Sequence, residues 1–219
     1  MTVAYLDPYH LGDPLFIPGL ARDLAARTAG LVLVHGSGER GERALESLGL
    51  TPQAADGVWT LQTEVERAAV ERATRELTRE VVHELTEQGV PSIGATGADR
   101  GLLRLTLDGE VAPGRTTWLG DLVRQGVVAV VSARARHDDA TVEVSAPAAV
   151  GALAAALGAD AFVISRRSLE GDLAADAVGR VGIDPPVVQA IQASGVRVRM
   201  GMRPSLRSDS AVETCFLAL

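Results

Sequence analysis

The sequence predicts an α/β fold whose mainly parallel sheet is covered by helices on both faces, and three observations predict it. Short apolar runs such as Leu31-Val32-Leu33-Val34 recur without polar alternation, which is the pattern of strands buried on both sides. Stretches with apolar residues at helical spacing lie between those runs, and alternation of helix and strand builds a parallel sheet. Apolar residues make up 47% of the chain but aromatics only 3%, so the core must be assembled from Ala, Val and Leu with helices packed closely on the strands. At 219 residues the chain is long enough to bury most of its apolar surface.

Each element has its own local reason. Val3 to Leu6 is a first strand that runs into Asp7-Pro8. Leu31 to His35 is a second, ended by Gly36-Ser37-Gly38, and this loop opens a helix. From Thr63 to Gln88 the residues Val65, Ala69, Ala73, Leu77, Val81 and Leu85 recur near helical spacing; Thr63 with Glu66 forms a capping box and Gly89 stops the run, giving the longest helix. Val90 to Ile93 is a strand entering the glycine turn Gly94 to Gly97. Leu102 to Leu107 is another, followed by the hairpin turn Asp108-Gly109. Leu119 to Gln125 is a short helix, Val127 to Val131 a buried strand, and Asp138 and Asp139 a polar hairpin loop. Val142 to Val144 precedes an alanine-rich helix, Ala148 to Leu157, which Gly158 ends before the strand Ala161 to Ile164.

Charge and cysteine usage remove several classes of function. The formal charge of −7 is spread without a basic run, which argues against a nucleic-acid or anionic-membrane partner. The single cysteine, Cys215, excludes an internal disulfide, and the N-terminus shows no secretory pattern, so a cytoplasmic location is expected. Each apolar run is interrupted well short of the roughly 20 residues that span a bilayer. All 21 positive residues are arginine. A mechanism that needs a lysine is therefore excluded, and at a reacting centre arginine is no equivalent of lysine.

Four segments carry a resemblance. Val34-His35-Gly36-Ser37-Gly38, with Leu45 and Leu48-Gly49 after it, resembles the His-Gly-Gly-Gly loop and following helix of the acetylglutamate kinases. Gly151 to Ala159, then Asp160 and the strand through Ile164, is similar to the start of their nucleotide half. Gly94 to Asp99 is similar to their Gly-Leu-Ser-Gly-x-Asp turn, and Gly201-Met202-Arg203-Pro204 to their Gly-Met-x-Pro-Lys segment. The chain thus resembles the amino acid kinase family over nearly its whole length. The resemblance implies a three-layer αβα sandwich in one domain, with a substrate-side half over residues 1–140 and a shortened nucleotide-side half over 141–219. It further implies ATP and Mg2+ as cofactors, a small-molecule metabolite as substrate, and a homodimer through the long helix and its neighbouring strand. By the same matching, Gly36, Ser37, Gly38 and Gly201 fall at phosphate or nucleotide positions, and Gly94, Trp59 and Ser145 on the substrate side.

The departures from the family pattern bear on activity. The first strand of the family carries a lysine and then Gly-Gly; here the strand meets Asp7-Pro8. The lysine after Gly-Met-x-Pro is Ser205. The paired Asn and Asp fall on Ser145 and Pro147, the Gly-x-Arg-x-Thr becomes Gly57-Val58-Trp59-Thr60, and the Thr-Asp or Ser-Asp after the nucleotide-half strand is Ser165-Arg166. Phosphoryl transfer depends on positioning and on neutralising charge, so the reading is a kinase-like protein that binds a metabolite or a partner protein without catalysis. An active kinase of an N-acetylglutamate-type carboxylate, using arginine in a rearranged site, is the alternative, with Arg203 and His35 as its catalytic candidates. The simpler readings are an exposed surface arginine for Arg203, a hydrogen-bonded structural residue for His35, and pocket filling or an interface for Trp59. Gly36 to Gly41 also satisfies G-x-G-x-x-G, which raises a Rossmann-type dinucleotide alternative. No His, Cys, Asp or Glu spacing matches a metal site.

Overall fold

The computed structural model describes every residue except Thr28, Asp56, Asp139 and the segments 168–174, 208–214 and 217–219. The chain opens with β1 (Thr2–Leu6), α1 (Pro8–Gly12), α2 (Phe16–Leu24), β2 (Leu31–His35) and α3 (Gly38–Glu46). A two-stranded hairpin, β3 (Ala54–Ala55) and β4 (Val58–Trp59), leads to the long α4 (Glu64–Glu87) and to β5 (Ser92–Thr96). Next come β6 (Leu103–Leu105), β7 (Val111–Pro113), α5 (Thr117–Arg124), β8 (Val128–Ser132), β9 (Arg134–His137) and β10 (Ala140–Glu143). The last part holds α6 (Ala146–Leu157), β11 (Asp160–Ile164), α7 (Pro185–Gln192), β12 (Val198–Gly201) and β13 (Cys215–Phe216).

Seven strands form the central sheet in the order β13-β12-β11-β1-β2-β8-β5. All pairings are parallel except that of β13 with β12. The side chains of one strand feed two cores. Val3 and Tyr5 of β1 face one cluster with Val32, Val34, Ala129 and Val131, against α5, α6 and α7. Ala4 and Leu6 face the other with Leu31, Leu33, Val130 and Phe162, against α2 and α4. The period of two, buried on both sides, makes each strand read as an unbroken apolar run. Each fully buried Leu, Val or Phe contributes about 1.5–3 kcal/mol, so two such layers hold the sandwich together. Small residues set the helix spacing: a Cβ on Gly151 of α6 would meet the Ile191 carbonyl of α7 at 2.7 Å.

A four-stranded sheet, β10-β9-β6-β7, is built beside the main one. It ends at Glu143, which it carries towards the glycine loop after β2.

Several expected boundaries move by a few residues. The alanine-rich helix starts at Ala146, not Ala148, because Ser145 accepts the Ala148 N–H and Pro147 occupies the first turn, where a missing N–H costs nothing. The strand expected from Val90 begins at Ser92, after Pro91. Thr63 caps α4 by accepting from Glu66 N–H at 3.2 Å, but the Glu66 carboxylate returns to Gln62 N–H at 2.6 Å. Asp138 sits with φ of 49° after β9; Asp139 lies outside the described residues.

Candidate binding cleft at the strand ends

A cleft of about 510 Å³ opens at the carboxyl ends of β1, β2 and β11, the edge of a parallel sheet where ligands of such folds bind. Its walls are the turns that follow those strands. After β1, Asp7 caps α1: its Oδ1 accepts the His10 N–H at 2.8 Å and lies 2.9 Å from His10 Nδ1. After β2, Gly36 and Gly38 line the cleft, and Gly38 takes a φ of 52° to turn into α3. Ser145 starts α6 on the far wall, and Arg166 follows β11. Asp184 stands at the N-cap of α7, where it makes no capping bond with its side chain.

The floor is Tyr5, 7% exposed, with its ring in the α6-side core. Burial pushes its hydroxyl pKa up, and the nearby charges of Asp7 and Asp184 push it further in the same direction. Among the described residues, Arg166 is the only cation lining the cleft, and its guanidinium carbon lies 3.7 Å from the Tyr9 ring centroid in a cation–π contact.

The sequence-predicted residues divide into groups. Gly36, Gly38 and Ser145 come together in the cleft. Ser37 lies beside them but faces inward: its N–H donates to Glu143 Oε1 at 3.1 Å, and its hydroxyl accepts the Trp59 Nε1–H at 2.9 Å. His35 is fully buried, with Nδ1 2.8 Å from the Gly36 carbonyl oxygen and Nε2 3.0 Å from Thr78 Oγ1. Burial lowers its pKa to about 4, against the hydrogen bond to Gly36 and with help from the Arg40 charge. The neutral ring therefore donates from Nδ1 and accepts at Nε2. Gly94 lies apart, in a surface depression between α4 and β5 with Thr78, Val82 and His83. Gly201 ends β12 beneath the cleft, where its carbonyl accepts the Ser165 N–H at 2.8 Å.

Arg203 is not the freely exposed surface residue that its sequence position suggests. Its Nε donates to Asp23 Oδ2 of α2 at 2.7 Å, while Arg207 donates to Oδ1 of the same carboxylate. Asp23 is only 4% exposed; burial alone would raise its pKa, but the bonds from Arg207 and Arg203 hold it below the usual range. The dinucleotide alternative also fails on the structure. After α3 the chain makes the small β3–β4 hairpin and then α4, not a sheet strand ending in an acidic residue.

Three residues of the cleft were missed by sequence reasoning: Tyr5, Asp184 and, behind the loop, Glu143. Asp184-Pro185 is a helix-start signature, and that was a legible signal. Nothing local in the sequence places Glu143 on Ser37, 106 positions away.

A mainly parallel sheet sandwiched between helices, with a cleft at its strand ends, defines an α/β sandwich protein. A model described as the amino acid kinase family matches residues 11–166, and the chain belongs to that family. Acetylglutamate kinase of Prochlorococcus marinus (strain NATL1A) is 30% identical over 166 residues, covering 70% of this chain and 55% of that protein. The Roseiflexus sp. (strain RS-1) acetylglutamate kinase is 34% identical over 158 residues, 68% of this chain and 60% of that protein. The chain therefore spans little more than half the length of these relatives, although an alignment with the Chloroflexus aurantiacus (strain ATCC 29366 / DSM 635 / J-10-fl) protein, 30% identical, covers 96% of the chain and 87% of that protein. Among solved structures, E. coli aspartokinase III in complex with aspartate and ADP superposes with a TM-score of 0.69 at 11% identity, covering all of this chain and 65% of that one. Aspartate kinase from Synechocystis gives 0.67 at 17% identity, covering all of this chain and 40% of that one. These likenesses carry the fold. No helix among the described residues is long and apolar enough to cross a membrane.

Proposed function

We propose that this chain is an acetylglutamate kinase-like protein that has left phosphoryl transfer and works by binding a small molecule in the cleft. The observation that carries this reading is the charge of the site: among the described residues the cleft is lined by two carboxylates and one arginine, and the chain has no lysine. A nucleotide polyphosphate needs several cations around the transferred group. The residues present do not fit ATP with Mg2+.

The glycine loop supports the same reading. The N–H of Ser37 meets the chain's own Glu143, so one backbone donor at the start of α3 already has an anion. Ser145 and Pro147, at the matched Asn and Asp positions, serve the start of α6. In this reading residues 1–140 and 141–219 are the two halves of one kinase-like domain, the protein is cytoplasmic, and it pairs as a homodimer through α4 and β5. The 30–34% identity to acetylglutamate kinases favours a second reading, an active kinase of an N-acetylglutamate-type carboxylate.

Calorimetric titration with ATP and Mg2+, then with N-acetylglutamate, followed by a coupled ADP-release assay at high enzyme concentration, separates the two. No turnover above the uncatalysed rate is expected. Turnover that saturates with N-acetylglutamate and disappears on Arg166→Ala would establish the active kinase.

A further inference from the structure

One carboxylate of the chain stands where an anion from outside would otherwise stand. Glu143, the last residue of β10, offers Oε1 to the Ser37 N–H at the start of α3, at 3.1 Å, a backbone donor of the kind that holds anions at helix starts. The Ser37 hydroxyl and the Trp59 backbone N–H also favour its charged form, against the effect of burial. The fit is incomplete, because Glu143 Oε2 is buried with no hydrogen-bond partner among the described residues. Arg134 lies directly opposite Glu143 in the β9–β10 pairing, so both side chains stand on one face of the small sheet. The Arg134 side chain is only 5% exposed. Its Nη2 donates to Glu71 Oε2 and to the Thr141 carbonyl, each at 3.2 Å, but its Nε is buried and unpartnered among the described residues.

A buried donor and a buried acceptor left unmet on facing residues carry a desolvation cost that a bond between them would remove. In the structure the carboxylate reaches the loop and leaves Arg134 Nε unmet. Turned to Arg134 it would leave the Ser37 N–H in need of another acceptor. An external anion on that N–H, with Glu143 paired to Arg134, satisfies every one of these groups. The loop has room for it: Gly36 and Gly38 line the cleft, and a Cβ on Gly36 would have only the Ala146 Cβ within 4 Å, at 3.8 Å. On the reading that this cleft binds a small molecule without phosphoryl transfer, we propose that Glu143 is an internal occupant of the glycine loop, an autoinhibitory carboxylate that an entering anion displaces onto Arg134. The affinity of the loop for anions is then set by how readily Glu143 leaves it.

The test follows the Ser37 amide of the full chain by NMR at pH 7.5 and fixed ionic strength during titration with inorganic phosphate. Glu143→Ala is expected to bind phosphate at least tenfold tighter than the parent, with the Ser37 amide among the resonances that move. Glu143→Gln keeps an acceptor for the Ser37 N–H while removing the competing charge, and is expected to bind several-fold tighter with the fold preserved. Arg134→Met is expected to weaken phosphate binding in the parent and to change it far less in the Glu143→Ala background, where no carboxylate has to be received. Equal affinity in the parent and both Glu143 variants, or phosphate binding that leaves the Ser37 amide unmoved, overturns the proposal. An equal effect of Arg134→Met in both backgrounds overturns the transfer to Arg134, and the displacement with it. Failure of the underlying reading looks different: ATP turnover in the coupled assay removes the non-catalytic role and leaves the phosphate result of the Glu143 variants standing.

Discussion

Ser37 at the start of α3 donates its backbone N–H to Glu143, the last residue of β10, across 3.1 Å and 106 positions of sequence. The small sheet is thereby fastened to the glycine loop by one carboxylate. Burial raises the Glu143 pKa, and the bonds from Ser37 only partly oppose it. A folded pKa above the unfolded one means that the folded state holds the proton longer, so this group's contribution falls as pH rises through the unfolded value, near 4.3, towards the folded one. Glu143→Gln is therefore expected to gain stability relative to the parent as pH rises from 4 to 7, measured by thermal melts at several pH values. Glu143→Ala, which leaves the Ser37 N–H without its acceptor, is expected to cost about 1–3 kcal/mol.

His35 gives the opposite slope. Its pKa of about 4 lies below the ordinary 6.5, so the unfolded chain takes up a proton first as pH falls. Stability from this residue is complete above pH 6.5 and is lost between there and about 4, on the order of 3 kcal/mol in all. An imidazole NMR signal from His35 that does not titrate between pH 5 and 8 would support this. A midpoint near 6.5 would refute the burial argument.

Asp23 of α2 binds two arginines, Arg203 and Arg207. Asp23→Ala is expected to cost about 3 kcal/mol in chemical denaturation, the low end for a broken buried pair because Arg203 and Arg207 still reach water. Its folded pKa is depressed, so its contribution is present above the unfolded value near 3.9 and disappears as pH falls through the folded one. Asp23→Asn should flatten that acid limb of the stability curve.

Gly41 lets Trp59 reach Ser37. A Cβ there would lie 2.5 Å from Ser37 Oγ and 2.7 Å from Trp59 Nε1. Gly41→Ala is expected to displace the indole, with a red shift of Trp59 emission in a Trp118→Phe background and a loss of about 1–2 kcal/mol. An unchanged spectrum would mean that the hairpin carrying Trp59 does not rest on α3.

Most of the main sheet was legible because a strand buried on both faces writes itself as a continuous apolar run, as Leu31 to Val34 and Val128 to Val131 do. The long helix was legible through the cap at Thr63 and the stop at Gly89. The helix α7 was missed despite Asp184-Pro185, because it follows a stretch with no periodic pattern. Of the cleft, Gly36, Gly38 and Ser145 could be found from motifs, since loops after parallel strands have local glycine and capping signatures. Tyr5 could not: inside a strand it reads as one more core residue, and only the end of β1 at the cleft exposes its hydroxyl. The partnership of Arg203 with Asp23 depends on a contact across 180 positions, which no local pattern encodes.

The place of β1 in the sheet has a consequence for biosynthesis. It leaves the ribosome before both of its neighbours, β2 and β11, yet it lies between them. One edge can pair once residues 31–35 emerge; the other waits for residues 160–164. Between those two events, Val3, Ala4 and their neighbours therefore present an apolar strand with unpaired backbone groups on one side, the kind of edge that recruits other chains. The nascent protein should depend on chaperones until α6 and β11 arrive, and truncations ending before residue 160 should aggregate where the full chain does not.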